Sequence, residues 1–345
     1  MKGVTWVVAV STVISVIGCK KSEPTPAEPD EPQAVAAEAE HKQEAAKPAE
    51  PILPLPDSVV VDMDKVLLGR ALYHDTVLSG DGTVSCATCH SLDHGGAEPR
   101  KTSIGIKGQV GPINSPTVLN ASYNFVQFWD GRAKDLREQA AGPVANPIEM
   151  GANWEGVVER VSKKKDYVAR FAKLYEDGVT KENITDAIAE YEKSLITPSR
   201  FDAYLKGDLT AITDAEKKGY ETFKEVGCTA CHTGILAGGT MFQKLGLVKD
   251  YFKERGSPLT EADLGRYNVT KNDFDKHFFK VPTLRNVELT APYLHDGSQD
   301  TLEGTVRIMG EYQLGRELTD AQVNSIVVFL KSLTGELPEH ARPQG

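Results

Sequence analysis

Cys86-Ala87-Thr88-Cys89-His90 has a second counterpart at Cys228-Thr229-Ala230-Cys231-His232. Each stretch offers two thiols and an adjoining imidazole. That set can bond both vinyl groups of a haem as thioethers and supply one axial ligand to its iron. The two-residue spacer suits one helical turn, which puts both sulfurs and the ring at one edge of a porphyrin. A redox-active dithiol or half of a zinc site would use the same residue types. Two copies, each preceded by an amphipathic helical pattern in a chain with an export signal, favour two covalently bound haem c groups.

Asp64 to Tyr73 carries Val66, Leu67, Ala71 and Leu72 at helical spacing just before the first motif. Thr213-Asp214-Ala215-Glu216 is a capping box. It opens a helix that runs through Tyr220 and Phe223 and stops at Gly227, before the second motif. Thr319-Asp320-Ala321-Gln322 opens another, with Val323, Ile326, Val327, Leu330 and Leu333 on one face and a stop at Gly335. No segment reads as a sheet. The expected fold is all-α, with two cytochrome c-like domains, each holding one c-type haem. The boundary falls near residues 200 to 212, giving domains over 57–206 and 207–345.

The first 56 residues read differently. Lys2 precedes the apolar run Val4 to Ile17, too short to span a bilayer and suited to an export signal over 1–18. Val16-Ile17-Gly18-Cys19 resembles a bacterial lipoprotein cleavage box. Of the five cysteines, Cys19 alone is left over from the two pairs, so it is the expected lipidation site. Lys20 follows where an inner-membrane retention Asp would sit, which by analogy favours a periplasmic protein anchored to the outer membrane. Residues 19–56 are rich in Pro, Ala and Glu and are expected to form a disordered tether. The net charge of −10 argues against nucleic acid as a partner and suits a basic redox partner.

The second axial ligands separate an electron carrier from a site open to small molecules. The methionine candidates are Met63, Met150, Met241 and Met309. Met309 lies downstream of His232 and just ahead of the closing helix, so it is assigned to the second haem, against the alternative of simple packing.

With these residues in view, the sequence resembles the bacterial dihaem cytochrome c peroxidases over nearly all of residues 57–337. The resemblance is carried by Leu78-Ser79 through His90, Gly111-Pro112-Ile113-Asn114-Ser115-Pro116-Thr117, Gln127-Phe128-Trp129-Asp130-Gly131-Arg132-Ala133 and Glu138-Gln139-Ala140 through Ile148-Glu149-Met150. Val281-Pro282-Thr283-Leu284-Arg285-Asn286 and Pro292-Tyr293-Leu294-His295-Asp296-Gly297 carry it in the second half. It implies reduction of hydrogen peroxide to water with electrons from a small cytochrome c or cupredoxin, and commonly a homodimer. It implies a high-potential His232/Met309 haem that receives electrons and a low-potential His90 haem that meets peroxide. Trp129 matches a tryptophan between the haems, and Gln139 and Glu149 match a polar pair over the peroxide-binding haem. Asn114, Thr290 and Pro292 match residues that hold a calcium ion, the last two through carbonyls.

One position departs from the pattern. Ile106 stands where much of the family has a histidine that caps the peroxidatic iron, and isoleucine has no donor atom. The expectation is an open site on the His90 haem, with His94 and Lys107 as the substitute caps to check. Two other functions compete: a dihaem electron-transfer protein, and a protein-modifying dihaem oxidase like the one that matures methylamine dehydrogenase. That oxidase has Tyr where this chain has Met309. A pure carrier, for its part, needs no acid–base pair above a haem.

Overall fold

The fold was analysed in a computed structural model, which describes residues 50–342. The expected signal, the Cys19 anchor and most of the tether lie outside them. The first half contains α1 (Met63–His74), α2 (Cys86–Cys89), α3 (Leu136–Ala145), α4 (Trp154–Ser162), α5 (Lys165–Leu174) and α6 (Lys181–Ser194). The second contains α7 (Arg200–Leu205), α8 (Asp214–Val226), α9 (Tyr251–Glu254), α10 (Tyr267–Thr270), α11 (Leu302–Ile308) and α12 (Asp320–Lys331).

Each half is built on one helix crossing, α1 on α6 and α8 on α12. A glycine sits at each crossing. A Cβ on Gly69 would lie 1.8 Å from Ala187 O, and one on Gly219 would lie 2.2 Å from Ser325 O. Only a residue without a side chain lets those backbones come so close. Around the first crossing pack Leu68, Leu72, Ile184 and Ile188; around the second, Tyr220, Phe223, Ile326 and Phe329. Both expected capping boxes form, with Thr213 and Glu216 closing the start of α8 and Thr319 and Gln322 that of α12. The last helix ends at Lys331 rather than at Gly335. There the carbonyls of Ser332 and Leu333 accept hydrogen bonds from Phe201 and Asn286 N–H, so tertiary partners replace the helical ones.

Two expectations are corrected. The tether does not extend to residue 56, because Ile52 and Leu55 are fully buried. Leu53 N–H donates to Gly234 O, Leu55 N–H to Asp202, and Tyr220 Oη donates to Glu50, so the packed chain already includes Glu50. The chain also contains a small antiparallel ladder, β1 (Phe242–Lys244) with β2 (Phe278–Lys280), pairing Phe242 with Lys280. Three-residue strands are too short to show an alternating pattern in sequence. Among the described residues no helix is long and apolar enough to cross a membrane.

Candidate functional site: two cavities behind the CxxCH turns

The first motif is a single turn. Ser85 and Thr88 cap it reciprocally, and His90 N–H donates to Cys86 O at 2.9 Å. The hydroxyl of Tyr73, on α1, donates to His90 O at 2.6 Å and ties the turn to the helix before it. His90 Nδ1 lies 3.3 Å from Gly96 O. A carbonyl only accepts, so Nδ1 carries the proton and Nε2 keeps its lone pair. The second motif repeats this: His232 N–H donates to Cys228 O at 3.1 Å, and His232 Nδ1 lies 2.9 Å from Ala237 O. Burial lowers the pKa of both imidazoles, which keeps them neutral and able to ligate.

Each turn opens onto its own cavity. Cys86, Cys89 and His90 line the first; Cys228, Cys231 and His232 line the second. Burial pushes the Cys86 and Cys228 thiols up to about 12 and the Cys89 thiol to about 11. Thiols held in that state fit poorly with a dithiol redox pair, which works through a thiolate. Paired thiols, an imidazole with a free nitrogen and mainly apolar walls fit a covalently bound haem in each cavity.

The rest of the lining makes the cavities unequal. The first holds Gln139, Glu149 and Met150. Gln139 stands on α3. Glu149 is held from both sides: Asn146 Nδ2 donates to its Oε1 at 2.6 Å, and its own carbonyl accepts Ile106 N–H at 2.8 Å. Burial raises the Glu149 pKa, against opposing effects from the Arg132 charge and the Asn146 hydrogen bond. Arg132, from the motif Gln127 to Ala133, also lines this cavity and lies over the Phe128 ring. Sequence reading left Arg132 without a role, although its place beside Trp129 and Asp130 was a usable signal.

Met309 lines the second cavity, where α11 passes into a π-helical turn, a feature common at functional sites. Of the other methionines, Met63 is exposed and only Met150 borders a cavity. Trp129 lines the second cavity and not the first. Its Nε1 donates to Asn114 O at 2.9 Å, and its carbonyl accepts Lys280 N–H at 2.8 Å.

Ile106 lines neither cavity. It is buried against Met150 and Gly151, facing the core of the first half. His94 and Lys107 are exposed and line neither cavity. Asn114, Thr290 and Pro292 all line the second cavity. Asn114 Nδ2 donates to Arg100 O and Lys101 O, which leaves its amide oxygen available. Three neutral oxygens are an incomplete set for calcium, which takes six to eight. Asp263, His295 and Asp296 cluster at metal-like distances, but Arg255 already bridges Asp263 at 2.8 Å and Asp296 at 3.2 Å. Although burial opposes it, hydrogen bonds from Arg255 and His295 hold Asp263 well below the usual carboxylate range.

Two CxxCH turns with separate cavities, one ending in a methionine and one in a carboxyl–amide pair, define a dihaem protein of unequal sites. A family model described as di-haem cytochrome c peroxidase matches residues 63–210. The chain is 53% identical over 289 residues to cytochrome c peroxidase Ccp of Escherichia coli K12, which covers 83% of this chain and 61% of that protein. It is 49% identical over 296 residues to cytochrome c551 peroxidase of Nitrosomonas europaea, covering 85% of this chain and 87% of that one. Among solved structures, a MauG-like protein associated with microbial copper homeostasis matches with a TM-score of 0.71 and 27% identity, over 85% of this chain and 95% of its own. The chain belongs to the dihaem cytochrome c peroxidase family.

Proposed function

We propose that this protein reduces hydrogen peroxide to two waters, taking two electrons from a small cytochrome c or cupredoxin and two protons from solvent. The observation that carries the reading is that Glu149 and Gln139 stand in the same cavity as Cys86, Cys89 and His90. A haem bound there supplies the iron that accepts the peroxide and delivers the electrons. Glu149 then does the proton work. Its raised pKa means the carboxyl exchanges a proton more readily near neutral pH than an exposed glutamate does. It takes the proton from one peroxide oxygen and returns it to the other, which leaves as water. Asn146 holds the carboxyl in place, and the Gln139 amide orients the peroxide through a hydrogen bond.

A haem in the second cavity would be held by His232 and Met309, and it would supply the entry point for electrons because a thioether ligand would favour the reduced iron. Trp129 lies on the route to the His90 haem. A haem held by His90 would meet no second ligand from Ile106, His94 or Lys107, and so would be open to peroxide without prior reduction. Ile106 is committed to core packing, and His94 and Lys107 do not border the cavity. A calcium ion, where bound, would be held by Asn114 and the carbonyls of Thr290 and Pro292, and waters would have to complete the set. The protein works in the periplasm, tethered to the outer membrane through Cys19, and forms a homodimer.

Stopped-flow mixing of the reduced protein with peroxide tests the main reading. Turnover with a reduced small cytochrome, lost in Glu149→Gln, is expected; no turnover would leave a dihaem electron carrier. Electron paramagnetic resonance of the oxidised protein tests the open site. A high-spin ferric signal is expected, and its absence would point to a cap such as Met150. The protein-modifying oxidase reading is disfavoured by Met309, which lines the second cavity where that reading needs a tyrosine.

A further inference from the structure

The two cavities share a wall. Ser115, Pro116, Thr117, Asn124 and Lys280 border both, and Lys280 is the only charged residue among them. Lys280 is 6% exposed. Its backbone is fixed on two sides, by pairing with Phe242 across the ladder and by donation from its N–H to Trp129 O. Its ammonium, in contrast, forms no hydrogen bond or ion pair with any described residue. The other buried cation of the second half, Arg285, is paired with Asp202 at 2.8 Å. The two carboxylates of the first cavity, Glu149 and Glu192, are not within ion-pair distance of Lys280 either.

A buried ammonium without a counter-charge is costly, and burial alone pulls Lys280 down to about 8. A bound anion beside it would favour the charged form. Haem brings the right anion. Its vinyl groups are consumed at the cysteines, and its two propionates sit on the opposite edge of the ring. We infer that Lys280 is the shared cationic contact for the propionates of both haems and raises the reduction potential of each. A fixed positive charge near the ring opposes the extra positive charge of the ferric state, so both irons become easier to reduce. Because Lys280 N–H is bonded to Trp129 O, the same residue links the wall of the first cavity to the tryptophan of the second. The inference rests on haem loading and not on peroxide turnover.

Redox titration of the haem-loaded full chain, followed by absorbance without peroxide, reads both potentials. Lys280→Met and Lys280→Gln are each expected to lower both potentials by a tenfold change in the reduction equilibrium, about 59 mV for one electron. Lys280→Arg is expected to keep both close to those of the unchanged protein. Haem content per chain is measured alongside. Haem loss from both neutral variants but not from Lys280→Arg also supports the anchoring role. The inference is overturned if the neutral variants keep their potentials or if only one haem shifts. It is also overturned if Lys280→Arg shifts as far as Lys280→Met, or if all three variants lose haem alike.

Discussion

Gly105→Ala should cost far more activity than its size suggests. The loop from Thr102 to Pro112 lies against the chain that carries Glu149, and Gly105 is the point of closest approach. A Cβ there would stand 2.1 Å from Ile148 O, 2.5 Å from Glu149 O and 2.8 Å from Glu149 Cα. Gly105 has φ of −88°, so its backbone suits any residue and the obstacle is purely steric. Ordinary contact needs the two strands of chain to part by about 1 Å or more. Overpacking of that kind costs ~1–3 kcal/mol in stability. Separation also pulls on the bond from Ile106 N–H to Glu149 O, so the carboxyl moves with its backbone. A misplacement of about 1 Å at a proton-transfer group costs ~100-fold in rate. The assay is steady-state peroxide turnover with a reduced small cytochrome, alongside thermal melting. Gly111→Ala, in the same loop, is the control, since its Cβ would meet only Ser103 O at 3.4 Å. Activity of Gly105→Ala within about threefold of the unchanged protein, or an equal loss in Gly111→Ala, would refute the reasoning; the ~100-fold expectation follows from displacement of the carboxyl.

Three more outcomes are expected. Because burial raises the Glu149 pKa, the acid limb of kcat/KM in a pH–rate profile should fall above the ordinary glutamate value, and a limb at the ordinary value would show that Glu149 is not its source. Asp202→Ala should cost ~3–5 kcal/mol in denaturant unfolding. It strands the buried Arg285 guanidinium and removes the acceptors for Leu55 N–H and Ser199 N–H, so a loss under about 1 kcal/mol counts against the network. Glu192 is buried, and burial pushes its carboxyl up to about 8. The folded chain keeps that proton after the unfolded chain has lost it, so stability should fall as pH rises from about 4.5 to about 8. Glu192→Gln should flatten that slope, and an unchanged slope would show that Glu192 is not its source.

The parts legible in the sequence are those written locally. A capping box spans four residues, so the starts of α8 and α12 could be placed from Thr213 and Thr319. A CxxCH turn spans five, so both attachment sites could be placed as well. Met309 could be assigned from its place between His232 and the closing helix, while the Gln139–Glu149 pair needed the long motifs around it, because a lone glutamate carries no mark of its use. What stayed hidden depends on distant partners. Ile52 sits in a Pro-rich stretch and reads as tether, yet it packs beside Phe201, Tyr220 and Phe329. The last turn expected after Lys331 yields to Phe201 and Asn286. Lys280, beside Val281-Pro282-Thr283, carries no local mark of a role, and only the folded chain puts it in a wall between two cavities.

The same attachment unit is used twice, so the difference between the sites must come from elsewhere. In both, a carbonyl holds the histidine Nδ1 and burial keeps the ring neutral. The proximal sides therefore give little reason for the two irons to behave differently. On the other side, Met309 lines one cavity with a thioether, while Glu149 and Gln139 line the other with a carboxyl and an amide. Ile106 adds to the contrast by where it points. In the core beside Gly151 it anchors the loop that Glu149 is bonded to, so one residue both offers the cavity no donor atom and steadies Glu149. Replacing Ile106 with histidine would then do more than restore a ligand. It would put an imidazole into an apolar pocket, loosen the loop and disturb Glu149 before any cap could form.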